Sequence, residues 1–240
     1  MKIALFSDIH ANLPAFEAFL KDLDSRQPDA VYCLGDLVGY HIYPNEVIAE
    51  IRRRGIATLA GNHDLKVSKL APVAPEELTN TGKNYAYHII GAQHREYLNS
   101  LPAHIRLEYK LGGEQLNLML VHGTPRSNDE YLLADLDENY VNQLMDEAGA
   151  DILCAGHSHK PYHRVVTLPN GKERHVINIG SVGKPKDNNP MGCYIMISLK
   201  PDQPIYVEFI HFAYDVEASA KAIEGSPLPN EFADRLRGGY

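Results

Sequence analysis

The chain has no tryptophan and only three cysteines, Cys33, Cys154 and Cys193, among 240 residues. An odd count without Cys-x-x-Cys spacing excludes a closed disulfide framework and suits a reducing compartment with buried thiols. Cys33 and Cys154 fall inside apolar runs and are expected to pack in the core. No apolar run approaches the ~20 residues of a membrane span. The N-terminal apolar run, with one lysine before it, is too short for a signal peptide. The expected location is the cytoplasm, with no membrane partner. Net basic charge is also missing: 23 Lys and Arg against 31 Asp and Glu leave -8. That argues against an extended nucleic-acid surface or an anionic-membrane surface. A local positive site made by metal ions stays open.

With 44% hydrophobic and 22% charged residues, the chain has an ordinary globular composition. Lys2 to Ser7 reads as a buried strand. Asn12 and Pro14 then suit the cap and first turn of a helix whose apolar face includes Phe16, Phe19 and Leu23. Ala30 to Leu34 is a second strand, Pro44 to Arg54 a helix, and Ile56 to Ala60 a third strand. This alternation predicts a layered α/β architecture with an initial parallel sheet. Residues 65–100 lack a strong strand and read as a helical insertion, with a loop over 71–77 and helices over 81–90 and 93–101. Beyond it, Gly112-Gly113 and Asn170-Gly171 mark hairpins around strands. Tyr140 to Ala148 and Val216 to Ile223 read as helices. Leu228, Phe232 and Leu236 form one stripe of a terminal helix, as core or as a subunit contact. No repeat, low-complexity tract or linker interrupts residues 1–240, which are expected to form a single domain.

Histidine is the one compositional excess, at 12 residues. Its positions follow a pattern. Five apolar runs end in polar residues able to bind metals or move protons: Asp8 and His10, Asp36, Asn62-His63-Asp64, His122, and His157 with His159. In an extended segment residues i and i+2 share a side, so Asp8 and His10 can aim at one point. In α/β sheets such strand ends gather in one crevice. Two divalent ions roughly 3.5–4 Å apart can clamp the attacking and leaving oxygens of a phosphoryl displacement. A carboxylate such as Asp36 can bridge them, and Asn62 can give a neutral carbonyl oxygen. His63 follows a ligand directly, so it can reach the reacting group without occupying a metal; it is a candidate general acid. Asp64 either orients His63 or caps the following helix.

The ordered set Asp8-x-His10, Gly35-Asp36, Gly61-Asn62-His63-Asp64, His122-Gly123 and Gly156-His157-x-His159 resembles the calcineurin-like metallophosphoesterase superfamily. The segments "DIHANLPAFEAFL" and "NIGSVG" resemble its small bacterial and archaeal, phosphodiesterase-like branch. The resemblance implies a four-layer α-β-β-α sandwich of two mixed sheets and a dinuclear centre. One metal would take Asp8, His10, Asp36 and His159; the other would take Asp36, Asn62, His122 and His157. His63 matches the superfamily's leaving-group histidine. Arg126, in His122-Gly123-Thr124-Pro125-Arg126, is either a phosphate-binding fork or a surface arginine. Where the branch often has Gln-Pro-Arg after Gly183, this chain has Lys184-Pro185-Lys186, and lysine cannot reproduce arginine's bidentate geometry.

The expected activity is metal-dependent phosphoester hydrolysis by attack of a metal-bridging hydroxide, with His63 protonating the leaving oxygen. Phosphodiester or nucleotide-type substrates are favoured by the resemblance. Phosphomonoesters, phosphoproteins and dinucleoside polyphosphates are the alternatives. Tyr85, Tyr87 and Tyr131 can stack on a base or simply pack. A non-catalytic scaffold of the same fold is the reading from another class. The mixed oxygen and nitrogen ligand set suits manganese first, with iron or zinc as alternatives.

Overall fold

The structure is a computed structural model and describes residues 1–240. β1 (Lys2–Phe6) leads to α1 (Leu13–Arg26), where the Asn12 side chain accepts a hydrogen bond from the Ala15 amide and Pro14 occupies the first turn. β2 (Ala30–Cys33), α2 (Pro44–Arg54) and β3 (Ala57–Thr58) follow. β3 is shorter than its apolar run. Leu59 still donates to Cys33 O, but Ala60 turns away and donates to Pro102 O.

The insertion carries α3 (Asn62–Lys69), 3-10 turns at Pro75–Asn80 and Gly82–Asn84, α4 (Tyr85–His88) and α5 (Ala92–Asn99). The helix expected over 81–90 is therefore broken, because Gly82 adopts φ +53°, outside the right-handed helical region. Part of the loop expected over 71–77 winds into a 3-10 turn, opened by Pro75 in its first position. Arg95, on α5, ties the insertion together by donating to the carbonyls of Ile90, Val67, Tyr87 and His88.

The rest of the chain gives β4 (His104–Leu111), β5 (Glu114–Val121), α6 (Glu138–Ala148), β6 (Ile152–Ala155), β7 (Tyr162–Thr167) and β8 (Glu173–Asn178). It ends with β9 (Gly192–Ser198), β10 (Tyr206–Phe212), α7 (Val216–Glu224) and α8 (Glu231–Gly238). One mixed sheet has the order β10-β9-β1-β2-β3 and the other β4-β5-β6-β8-β7. β1, β2 and the edge strand β3 are parallel, as are the inner strands β5, β6 and β8. Antiparallel β9 flanks the first set, and antiparallel β4 and β7 flank the second.

Strand periodicity builds the layers. Ala4 and Phe6 pack with Phe16, Phe19, Val47 and Ile48 under α1 and α2, while Ile3 and Leu5 point the other way. There they meet Leu118, Leu120, Ile152 and Cys154 of the second sheet, in a core between the two sheets. Met119, Val121, Leu153 and Ala155 face outward against Val141, Leu144 and Met145 of α6. The result is helix, sheet, sheet, helix: a four-layer α-β-β-α sandwich. All three cysteines are buried and free. Leu228, Phe232 and Leu236 are core, packed with Ala220 and Ile223 where α7 meets α8.

Candidate metal centre

The loops after β1, β2 and β3 of one sheet and after β5 and β6 of the other meet at one edge of the sandwich. Backbone hydrogen bonds lace them together: Asp8 N to Gly35 O (3.0 Å), His10 N to Asp36 O (3.0 Å), Gly156 N to His122 O (2.9 Å) and Gly183 N to Asp8 O (3.0 Å). Two glycines let these loops touch. A Cβ on Gly61 would overlap the Asp36 carboxylate and amide, and one on Gly156 would overlap Ser7 and Asp8. The turns that aim the side chains are sharp. Asp8, His10, Asp36, His157 and His159 all have φ between 51° and 63°, where non-glycine residues rarely sit. Each such residue costs roughly 1–3 kcal/mol, and such strain gathers at functional sites.

The candidate ligands fall into two trios. Ligand atoms of Asp8, His10 and His159 lie within 4.8 Å of one another, and so do those of Asp36, His122 and His157. Asp36 stands between them, its Oδ2 3.6 Å from His10 Nε2 and 3.3 Å from His122 Nε2. Asn62 Oδ1 lies 3.1 Å from His122 Nε2. Asp8 Oδ1 is 3.0 Å from His159 Nε2 and 3.5 Å from His10 Nε2.

The donor chemistry fits cations. Nδ1 of His10 faces Val38 O at 3.0 Å, Nδ1 of His122 faces Leu34 O at 2.8 Å, and Nδ1 of His159 faces Lys184 O. A carbonyl only accepts, so each Nδ1 carries a hydrogen and, in the neutral ring, each Nε2 presents a lone pair. His157 is fixed the other way round, its Nε2 donating to Asp129 O at 3.3 Å, which leaves Nδ1 free. These lone pairs face one another and two carboxylates: His10 Nε2 and His159 Nε2 are 3.2 Å apart. Asp8 Oδ1 and Asp36 Oδ2 are buried without a hydrogen-bond partner. Buried acceptors facing only acceptors are costly unless a cation lies among them.

The electrostatics agree. Burial pushes the Asp8 carboxyl up, but His159 and His10 outweigh it and hold the group well below the usual carboxylate range. Asp36 is lowered in the same way, with His122 the main counterweight to burial. Burial works against a charged His122, yet Asp36 and Asp8 raise it to about 10. In the metal-free protein a proton there supplies the missing positive charge. Burial lowers His159 to about 4.

His63 sits beside the trios, a ring nitrogen within 4.8 Å of ligand atoms of His10 and Asp36. Its amide donates to Asp36 Oδ1 at 2.8 Å. Its Nδ1 is hydrogen-bonded to the hydroxyl of Tyr87, which is buried on α4. Burial brings His63 down to about 3, against the pull of Asp36. Asp64 does not hold the His63 ring. Its two oxygens accept from the amides of Asp36 (2.8 Å), Leu37 (2.9 Å) and Gly61 (3.0 Å), so it caps α3 and clamps the Asp36 loop. Burial and the charge of Asp36 raise it to about 7, opposed by those amides.

Arg126 does not point its fork at the trios. It makes a bidentate pair with Glu147 on α6 (2.8 and 2.6 Å) and lies over the Tyr140 ring. The loop it belongs to reaches the site through other residues. Tyr131, 48% exposed, stacks on His157 at 4.2 Å, and Asn128 donates to Ala60 O just before Asn62. Tyr85 packs against the α7–α8 cluster. Tyr40 belongs to no motif of the sequence, yet its ring lies 4.9 Å from His10 and 4.8 Å from His63. Only its place soon after Asp36 could have hinted at it.

Among known proteins, the uncharacterized protein MJ0912 of Methanocaldococcus jannaschii is 30% identical over 252 residues, 98% of this chain and 96% of its own. The structure of a metallophosphoesterase from Sphaerobacter thermophilus superposes with TM-score 0.79 at 26% identity, covering 100% of this chain and 99% of that one. Hypothetical protein PH1004 from Pyrococcus horikoshii OT3 shares the fold at TM-score 0.79 and 24% identity, with 100% and 98% covered. A family model described as the calcineurin-like phosphoesterase superfamily domain matches residues 1–202, and the chain belongs to that superfamily.

Proposed function

We propose that the protein is a dinuclear metal-dependent phosphoesterase acting on small phosphorylated substrates, phosphodiester or nucleotide-type first, with manganese as the favoured metal. The observation that carries this reading is the convergence of orphaned Asp8 Oδ1 and Asp36 Oδ2 with the Nε2 atoms of His10, His122 and His159, whose Nδ1 atoms all face carbonyls. Asp8, His10, Asp36 and His159 would hold one ion, and Asp36, Asn62, His122 and His157 the other. The chemistry divalent ions supply in such a site is polarisation of phosphoryl oxygens and a lowered water pKa.

The chain's own residues do the rest. Backbone bonds and the Asp64 clamp fix the ligands before substrate arrives. His63 is neutral near pH 7, and an anionic phosphoryl group beside the ring opposes the effect of burial and restores its second proton. The imidazolium then gives a proton from Nε2 to the leaving oxygen, while Nδ1–H donates to the Tyr87 hydroxyl. That hydroxyl can donate or accept, so it serves both states of the ring.

The test is hydrolysis of a chromogenic diester by manganese-loaded protein, with metal content measured alongside. Wild type should turn over and hold two ions. His63→Ala should keep both ions and lose roughly 10²–10⁴-fold in kcat on a substrate with a poor leaving group. Asp8→Ala should lose one ion and most activity. Unchanged turnover in His63→Ala would remove the acid role, and no turnover of any phosphoester with any divalent ion would favour a scaffold.

A further inference from the structure

Beside the trio of Asp8, His10 and His159, the segment Lys184-Pro185-Lys186 runs between the metal-ligand loops and α8. Its backbone holds His159 from both sides: Lys184 O takes Nδ1–H, and Lys186 N donates to His159 O at 3.3 Å. The next turn is pinned to the end of α8, Asn188 N donating to Gly239 O at 2.8 Å. The two lysine side chains are therefore carried by a fixed piece of backbone at the rim of the centre.

Those side chains lack a carboxylate of their own. Lysine ion pairs elsewhere join Lys172 to Asp151 and Lys221 to Glu217, but Lys184 and Lys186 make none. Lys184 is only 6% exposed, and its Nζ lies 4.5 Å over the Tyr40 ring. Lys186 is half-buried. Burial lowers its pKa, Arg235 of α8 and Lys160 push the same way, and only Asp8 and Asp36 favour its charge. Arg235 itself is 45% exposed with Glu231 at 3.6 Å. The negative charges that favour the two lysines are thus the metal ligands Asp8 and Asp36, and metals would claim them. A buried ammonium without a counter-ion is costly, and burial accordingly lowers Lys184 to about 7. In a chain of net charge -8, a cluster left in that state matches an anion from outside.

We propose that Lys184, Lys186 and Arg235 form a second phosphoryl subsite, so that the preferred substrate carries a further phosphoryl group next to the one that reacts. This deepens the phosphoesterase reading and rests on it for the position of the reacting group. The class is that of pyrophosphoryl compounds, such as nucleoside di- and polyphosphate derivatives. The lysines act as compact charges on the non-reacting group, as suits lysine rather than a planar fork.

The experiment is calorimetric titration of the manganese-loaded full-length protein with inorganic phosphate and with pyrophosphate, checking metal content in every variant. Wild type should bind pyrophosphate at least tenfold more tightly than phosphate. Lys186→Ala and Lys186→Ala/Arg235→Ala should each lose roughly tenfold or more in pyrophosphate affinity but less than threefold for phosphate. Lys184→Met, which keeps the buried stem, provides a second variant with the same expected split. Pyrophosphate affinity that stays at the wild-type level in all these variants assigns the preference to the metals alone and overturns the subsite. Binding is read without turnover. A protein that hydrolyses diesters but fails this titration loses only the subsite; one that passes it but hydrolyses no phosphoester loses only the activity.

Discussion

At the scale of residues, the contact between His63 and Tyr87 decides more than its size suggests. An imidazole presents the correct nitrogen only if the other is held. Here the holder is a buried phenol 24 positions along the chain, not the neighbouring Asp64, whose oxygens are taken by three amides. Burial pushes the Tyr87 hydroxyl above its ordinary pKa, so it stays protonated and can donate to Nδ1 of the neutral ring. Tyr87→Phe should keep both metals and a near-normal KM. Its kcat should fall about tenfold, roughly 1.4 kcal/mol, on an alkyl leaving group. On a nitrophenyl leaving group, which needs little protonation, the fall should be smaller. Steady-state kinetics on the two esters checks this. Equal losses on both would mean that Tyr87 supports the loop and not the ring.

At the scale of elements, the insertion is a set of short helices that carries Tyr87, and Arg95 fastens them together. The guanidinium of Arg95 binds carbonyls at Ile90, Val67, Tyr87 and His88, joining α3, α4 and α5. Arg95→Ala leaves several of these partly buried carbonyls without a protein donor and should cost about 1–3 kcal/mol. Chemical denaturation checks the loss, and faster proteolysis within residues 70–100 should accompany it. Arg95→Lys should recover only part, since an ammonium cannot fork between four carbonyls. These contacts also mark what could be read without the structure. Asp8, His10, Asp36, Asn62, His122, His157 and His159 were legible because apolar runs end in polar residues at local, recurring offsets. Strand periodicity made the layered α/β class legible, and the family resemblance alone implied the second sheet. The choice between the two readings of Asp64, the pairing of Arg126 with Glu147 and the break at Gly82 were not. They depend on which distant segment lies alongside, or on a single backbone torsion, and neither leaves a periodic trace.

At the scale of the whole molecule, stacking two sheets brings the carboxyl ends of five strands to one edge. It also places buried acceptors together, so the protein without metal must find positive charge elsewhere. It finds it as a proton on His122, raised to about 10 by Asp36 and Asp8 against the effect of burial. His63 and His159, at about 3 and about 4, are already neutral at pH 8. His157 is also lowered, and Asp64, near 7, is mostly ionised there. Ligands bind metal deprotonated, so loading must expel the His122 proton. The sign follows. Below pH 10 the metal competes with that proton, and apparent affinity should rise about tenfold for each pH unit between 8 and 9. Calorimetry at pH 8 in buffers of different ionisation enthalpy should therefore count, on filling both positions, one proton from His122 on top of any shed by metal-bound water. His122→Ala should release about one proton fewer than wild type and bind one ion less tightly. If wild type releases no more protons than that variant, His122 is neutral in the metal-free protein, and burial alone then sets the charge state of the orphaned carboxylates.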